Sequence, residues 1–315
     1  KLNYGSRDTW EKMRDILMFW AAKGVDGFRC DMVELVTVDF WEWCIPQIKK
    51  SYPDIIFIAE IYQPHNYHPY IRRGGFDYLY DKSGFYDTLR AISTGHTPAS
   101  SLTSVWQGLG DFQHNMLNFL ENHDEQRVAS DFFIGDPRRS MAMLYVSLLF
   151  NTAPFMIYFG QELGERGMET EGYSGVDGRT TIYDFWSLSS VRRLLEGMDA
   201  GDVFKNLTDS EAGILSAYRK LLRLSVGTPS FEVGKTFDLM YVNPQSDHFD
   251  PRYHYAFLRS DGREIYLIAA NFSQWDATVS INIPQEVFDY FGVCGSPSQI
   301  TVSVKAFDGN IIQII

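Results

Sequence analysis

The chain has 315 residues, 45% of them hydrophobic, and a formal net charge of −12. That length can bury one large core and a smaller second one, while the acidic balance would repel a phosphate backbone and excludes nucleic acid as a ligand class. No uninterrupted apolar run reaches membrane-spanning length, so no membrane partner is expected. The three cysteines, Cys30, Cys44 and Cys294, are odd in number and show no metal spacing. They are expected to be reduced or lone thiols.

Residues 1–6 read as a loop leading into a helix, where Trp10, Met13, Ile16, Leu17 and Trp20 recur at helical spacing and Gly24 supplies the stop. Residues 25–31 form a buried strand ending in Arg29 and Asp31. Alternation along a strand points both side chains the same way, at its carboxyl end. Alone, the pair fits a structural ion pair as well as a reactive carboxylate kept ionised by its arginine. A helix over 38–50 buries Phe40, Trp41, Cys44, Ile45 and Ile48, and a second apolar run, 55–60, ends on Glu60. A short helix at 67–73, a strand at 76–81 and helices at 85–93 and 98–107 follow. The strand at 116–119 leads to Glu121-Asn122-His123-Asp124, an apolar helix spans 138–150, and 154–160 reads as another buried strand. Residues 165–192 form a loop rich in Gly, Ser and Thr, long enough to be functional. An amphipathic helix covers 211–224.

Beyond Gly227-Thr228-Pro229 the texture changes to short alternating runs at 253–259, 264–271, 277–283, 300–307 and 311–315. Ser260-Asp261-Gly262 and Asp308-Gly309-Asn310 supply hairpin turns. Two domains are expected, 1–228 and 229–315. Three acids at the carboxyl ends of apolar strands, separated by helix-length segments, describe one site built by several strands of a parallel α/β barrel.

Gly27-Phe28-Arg29-Cys30-Asp31, Ala59-Glu60 and Asn122-His123-Asp124 resemble the second, third and fourth signature regions of the α-amylase family of retaining α-glycoside hydrolases and transglycosylases. The resemblance covers the whole chain. It implies an α/β fold: the third helix and strands four to eight of a (β/α)8 TIM barrel, then a small antiparallel β-sandwich. The family's first three strands, its loop domain and its first signature region have no counterpart, so the sequence resembles the second part of an enzyme.

By this resemblance Asp31 is the nucleophile, Glu60 the general acid/base and Asp124 the acid that grips the sugar. Glu60 follows a dry run near other carboxylates, and both conditions favour its protonated form. Arg29, Asn122, His123, Arg127 and Tyr62 are expected among the substrate-binding residues. His65, Tyr67 and His68 after Glu60 fit an aglycone wall or a wet aromatic loop equally. Many family members place Lys-His three and four residues after the nucleophile, where this chain has Glu34 and Leu35, so its acceptor side differs from a standard endo-amylase. The resemblance implies action on α-1,4-linked glucans or maltooligosaccharides, with α-glucanotransfer or non-catalytic glucan binding as alternatives. No cofactor is expected, apart from a calcium ion in a fuller enzyme. Partners would be the glucan and an N-terminal polypeptide, or a second copy closing the open barrel. A cytoplasmic and a periplasmic location both stay open.

Overall fold

The three-dimensional description is a computed structural model covering residues 2–169, 177–180 and 188–315. The expected helix α1 (Arg7–Ala21) leads into strand β1 (Gly27–Cys30). Helix α2 (Val38–Ser51), strand β2 (Ile56–Ala59), helix α3 (Tyr67–Arg72) and strand β3 (Tyr78–Tyr80) continue the alternation. Then come α4 (Asp87–Ser93), α5 (Ser101–Leu109), β4 (Met116–Phe119), α6 (Met141–Leu149) and β5 (Phe155–Met156). The five strands pair in parallel in the order β1-β2-β3-β4-β5. Among the described residues this is a partial TIM barrel, with Asp31, Glu60, Asp81 and Glu121 just past its carboxyl ends. At Gly27, a Cβ would lie 2.6 Å from the Ile56 carbonyl oxygen, so glycine lets β1 approach β2 at the register Gly27↔Ile56.

Apolar packing separates two sides of this sheet. On one, Phe57 and Phe76 pack with Phe40, Trp41, Cys44 and Ile48 of α2. On the other, Tyr80, Tyr86, Leu117 and Phe119 form a smaller cluster, with Tyr86 stacked on Phe119. α6 is buried over almost its whole circumference, as befits a helix covered on all sides. It packs between the sheet and the second half of the chain, where Phe150 meets Tyr255 and Phe257.

Two expectations for the barrel need correction. Residues 154–160 were expected to form a buried strand, but only Phe155–Met156 is extended, and both residues are half-buried. β5 stands at the end of the strand order and pairs with β4 alone among the described residues. The helix expected at 211–224 instead runs from Asp209 to Gly227 as α8, following α7 (Ser189–Asp199). Thr208 and Glu211 form a reciprocal cap: the Thr208 hydroxyl accepts from the Glu211 N–H at 3.3 Å, and the Glu211 carboxylate from the Thr208 N–H at 2.9 Å. Half of the loop expected at 165–192, residues 170–176 and 181–187, lies outside the described residues, and its last four residues, 189–192, belong to α7.

After α9 (Pro229–Glu232), strands β6 (Lys235–Asp238), β7 (His254–Ser260), β8 (Ile265–Asn271), β9 (Ala277–Ile283), β10 (Ser298–Val304) and β11 (Gly309–Gln313) are all antiparallel. Helix α10 (Gln285–Phe291) joins β9 to β10. The strands form a four-stranded sheet, β11-β8-β7-β6, and a two-stranded sheet, β10-β9, sharing one apolar core. β6 and α10 were not anticipated. Arg259 of β7 ties this unit to the barrel. Fully buried, it donates to the carbonyls of Leu149 at 2.9 Å and of Phe231 and Gly234 at 3.0 Å. Burial pushes its pKa down to about 10. Arg259→Ala would orphan three carbonyls and open a void, so we expect a loss of about 3–5 kcal/mol, read as a lower urea midpoint. An unchanged midpoint would show that this tie is dispensable.

Candidate active site

β1 and β2 bring the first two acids together. Their ladder runs one step past the strands, with the Glu60 N–H donating to Cys30 O at 3.0 Å and the Val33 N–H to Glu60 O at 3.1 Å. Between them Met32 takes a left-handed backbone conformation, φ 44°, uncommon for a residue with a side chain. That turn aims the Met32 N–H at Glu60 Oε2, 2.7 Å away.

Arg29 was expected to serve Asp31. It serves both acids, bonding to the Asp31 carboxylate and standing 3.0 Å from Glu60 Oε1. Its Nε donates to the Tyr80 hydroxyl at 3.3 Å. Burial disfavours the cation, but its contacts with Tyr80, Asp31 and Glu60 outweigh that and raise its pKa. Glu60 is buried, 3% exposed, whereas the side chains of Asp31 and Asp124 are 72% and 52% exposed. The chain thus presents one sheltered and two open carboxyls.

Tyr62 donates its hydroxyl proton to Glu60 Oε1 at 2.7 Å. Burial, that bond and the charges of Glu60, Asp124 and Glu125 all push its pKa up, so it keeps the proton. Asp124 follows a tight turn in which Asn122 Oδ1 accepts the N–H groups of Asp124 and Glu125, at 2.9 and 2.8 Å. His123 Nε2 stands 3.3 Å from Asp124 Oδ2.

Two of the expected sugar contacts have different surroundings. Arg127 is fully buried, and its guanidinium reaches Glu121 at 2.7 Å, Phe159 O at 2.6 Å and Thr180 Oγ1 at 2.6 Å. It braces the segment after β4 from beneath and does not reach open space. Asn122 is 1% exposed and shapes the turn that carries Asp124. Its Nδ2 has no hydrogen-bond partner among the described residues. Arg29, His123 and Tyr62 remain positioned beside the acids. Asp81, after β3, is fully buried as the cap of a π turn over Lys82–Tyr86, and burial pushes its pKa up to about 7.

Two residues of the site escaped the sequence analysis. Arg179 Nε holds the Asp124 carbonyl at 2.7 Å. Glu34, noted only as a departure, accepts the N–H groups of Tyr62 and Gln63, each at 3.1 Å, and Asn66 Nδ2 at 2.8 Å. It clamps the loop that presents Tyr62 to Glu60. Hydrogen bonds to charged groups contribute about 1.5–3 kcal/mol. Tyr62→Phe should therefore lower kcat/KM by about tenfold to a hundredfold if Glu60 reacts, and Glu34→Ala should reproduce part of that loss. Full activity in Glu34→Ala would show that the loop holds without it.

Comparison with known proteins gives a consistent result. A family model described as "Alpha amylase, catalytic domain" matches residues 1–187. Neopullulanase 2 of Thermoactinomyces vulgaris is 22% identical over 262 residues, covering 78% of this chain and 43% of that protein. Alpha-1,4-glucan:maltose-1-phosphate maltosyltransferase of Picrophilus torridus is 35% identical over 71 residues, 22% of this chain and 11% of that protein. Among solved structures, a debranching enzyme from Nostoc punctiforme superposes with a TM-score of 0.71 at 18% identity, over 98% of this chain and 61% of that one. The cyclic alpha-maltosyl-(1→6)-maltose hydrolase of Arthrobacter globiformis, in complex with maltose, also gives 0.71, at 17% identity over 99% and 61%. Such identities show a shared fold, and this chain spans less than two thirds of the length of each of these proteins. The catalytic-domain model covers more than half of the residues, including the Arg29–Asp31–Glu60 cluster and Asp124, and the chain belongs to the alpha-amylase family.

Proposed function

We propose that the chain carries the reacting acids of a retaining α-glycoside hydrolase acting on α-1,4-linked glucans or maltooligosaccharides. The observation that carries this reading is the Arg29 guanidinium lying between an open carboxylate, Asp31, and a sheltered one, Glu60. A double displacement needs two carboxyls with different environments about 5–5.5 Å apart. Asp31, exposed and paired with a cation, attacks the anomeric carbon. Glu60, held by Tyr62 and the Met32 N–H, gives a proton to the departing glycosidic oxygen. The resulting covalent ester at Asp31 is cleaved by water, from which Glu60 takes the proton back. Asp124 and His123 hold sugar hydroxyls during both steps. Nothing in this chemistry calls for a cofactor.

The same reading assigns residues 1–228 to the barrel and 229–315 to its companion unit. It also requires three further strands, supplied by additional polypeptide or a partner, to close the sheet. A second reading, α-glucan transfer, uses the same acids with a sugar hydroxyl in place of water. It draws support from relatives named maltosyltransferases. The test is product analysis on maltoheptaose in a form with the three further strands supplied, with the first-formed anomer followed by NMR. Shorter oligosaccharides released as the α-anomer support hydrolysis with retention, and longer ones support transfer. First-formed β-anomer would overturn the roles of Asp31 and Glu60.

A further inference from the structure

A cavity of about 740 Å³ lies where the barrel meets the second half of the chain. The end of α4, the segment after it and Arg139 form the barrel side. The segments that precede β7, join β8 to β9 and join β10 to β11 form the other. None of its lining residues belongs to the acid cluster. The volume is ordinary for a small-molecule site, about 300–1,000 Å³. Main-chain bonds hold the two sides together: the Ala99 N–H donates to Arg252 O and the Ala142 N–H to Phe307 O, each at 2.9 Å.

The charge of this wall runs against that of the protein. The chain carries 40 acidic and 28 basic residues, yet among the described residues the lining has Arg139, Arg252 and His96 and no Asp or Glu. Arg252 is fixed by Asp250, whose carboxylate accepts from its Nε at 3.0 and 3.1 Å and from its Nη2 at 2.6 Å. That pairing offsets its charge. Arg139 pairs with no carboxylate among the described residues. Its guanidinium lies 4.4 Å from the centroid of the Phe307 ring, and its Nη1 donates to Ile134 O at 3.0 Å. Its Nη2 makes no hydrogen bond among the described residues and is open to solvent. Phe307, beneath it, takes a left-handed backbone conformation, φ 56°, uncommon for a bulky side chain. At His96, Nδ1 meets Thr94 Oγ1 at 2.8 Å, and a protonated ring would add a donor at Nε2.

A wall with one uncompensated guanidinium and further donors beside it suits an oxyanion. Tyr253 and Trp275, 37% and 61% exposed, bring apolar faces to the same lining. We propose that this cavity binds the phosphate ester of a small molecule, with Arg139 and Arg252 holding the phosphate and Tyr253 and Trp275 its organic part. A phosphate ester offers three terminal oxygens and up to two charges, a carboxylate two oxygens and one charge. The site is independent of the glycoside chemistry proposed above. A ligand seated there would touch both halves of the molecule, so its binding should raise the temperature at which they come apart.

Calorimetric titration of the chain with phenyl phosphate, inorganic phosphate and acetate at low salt tests this directly. We expect phenyl phosphate to bind at least tenfold more tightly than inorganic phosphate, acetate to bind more weakly still, and the melting midpoint to rise with phenyl phosphate concentration. Arg139→Gln should weaken phenyl phosphate binding at least tenfold, and Arg139→Lys, which keeps the charge, should weaken it less. Arg139 also supports the Ile134 carbonyl, so Arg252→Gln, at a side chain 62% exposed, serves as the second probe and should cost at least threefold. Circular dichroism checks the fold of each variant. Arg138→Gln removes an equal charge outside the lining, from a side chain 76% exposed, and should leave binding unchanged. No binding of phenyl phosphate by wild type, or binding unmoved by both Arg139→Gln and Arg252→Gln, overturns the site. Acetate binding as tightly as phenyl phosphate overturns the phosphate assignment. Inorganic phosphate binding as tightly overturns the part given to Tyr253 and Trp275.

Discussion

Asp31→Asn, made in a form of the enzyme with a complete barrel, should lower kcat on maltoheptaose by at least ~10⁴-fold, the scale seen when a covalent nucleophile is removed. The amide keeps the shape and the position beside Arg29, so the dissociation constant for substrate should move little. Glu60→Gln should lose about 10²–10⁴-fold on the same substrate, the usual contribution of a positioned acid. It should recover much of that on an aryl glycoside whose leaving group needs no proton. Such recovery in Glu60→Gln with none in Asp31→Asn separates the two roles. Near-wild-type turnover of either variant on maltoheptaose would remove that residue from the mechanism. The site's asymmetry motivates the assignment: Asp31 is open to an incoming sugar, while Glu60 is enclosed and bonded to Tyr62 and Met32.

What could be read in advance was local. The first four parallel strands and their terminal acids follow from apolar runs that lead to a charge, and β9 matches its alternating run residue for residue. Boundaries moved where a side chain beyond the apolar pattern decided them, as with the reciprocal cap that starts α8 early. β6 and α10 are short, and the half-exposed Thr236, Phe237 and Asp238 of β6 carry no clean period-two signal. The roles of Glu34 and Arg179 are contacts across 28–32 and 55 residues of chain, and nothing in their neighbours' sequence announces them. Resemblance places Arg127 among the binding residues, at a position where the family's arginine often braces the site; here it is buried and braces Glu121 and the Phe159 carbonyl.

The chain by itself should be inactive and should associate. Its parallel sheet has five strands among the described residues, where a closed barrel of this type has eight. β1 and β5 stand at the two ends of the strand order, and each leaves one side unpaired among those residues. Unpaired edges invite further strands. Large apolar groups are exposed in the segments that adjoin both end strands along the chain: Ile16, Phe19 and Trp20 of α1, the helix before β1, are 49%, 54% and 50% exposed, and Phe159, past β5, is 58% exposed. Exposed apolar surface, where it is contiguous, marks a contact face. Its burial by three further strand–helix units would also enclose Asp31, whose side chain is now largely in water. Light scattering coupled to gel filtration should therefore give a mass above that of one 36.2 kDa chain. Maltoheptaose turnover should stay far below the ordinary range of about 1–10³ s⁻¹. Adding a polypeptide that supplies the first three strand–helix units should restore both a defined mass and activity, and Asp31→Asn in the reconstituted pair should abolish that activity again. A monodisperse monomer with turnover in the ordinary range would defeat the expectation, because the five strands would then suffice to hold the acids and the sugar.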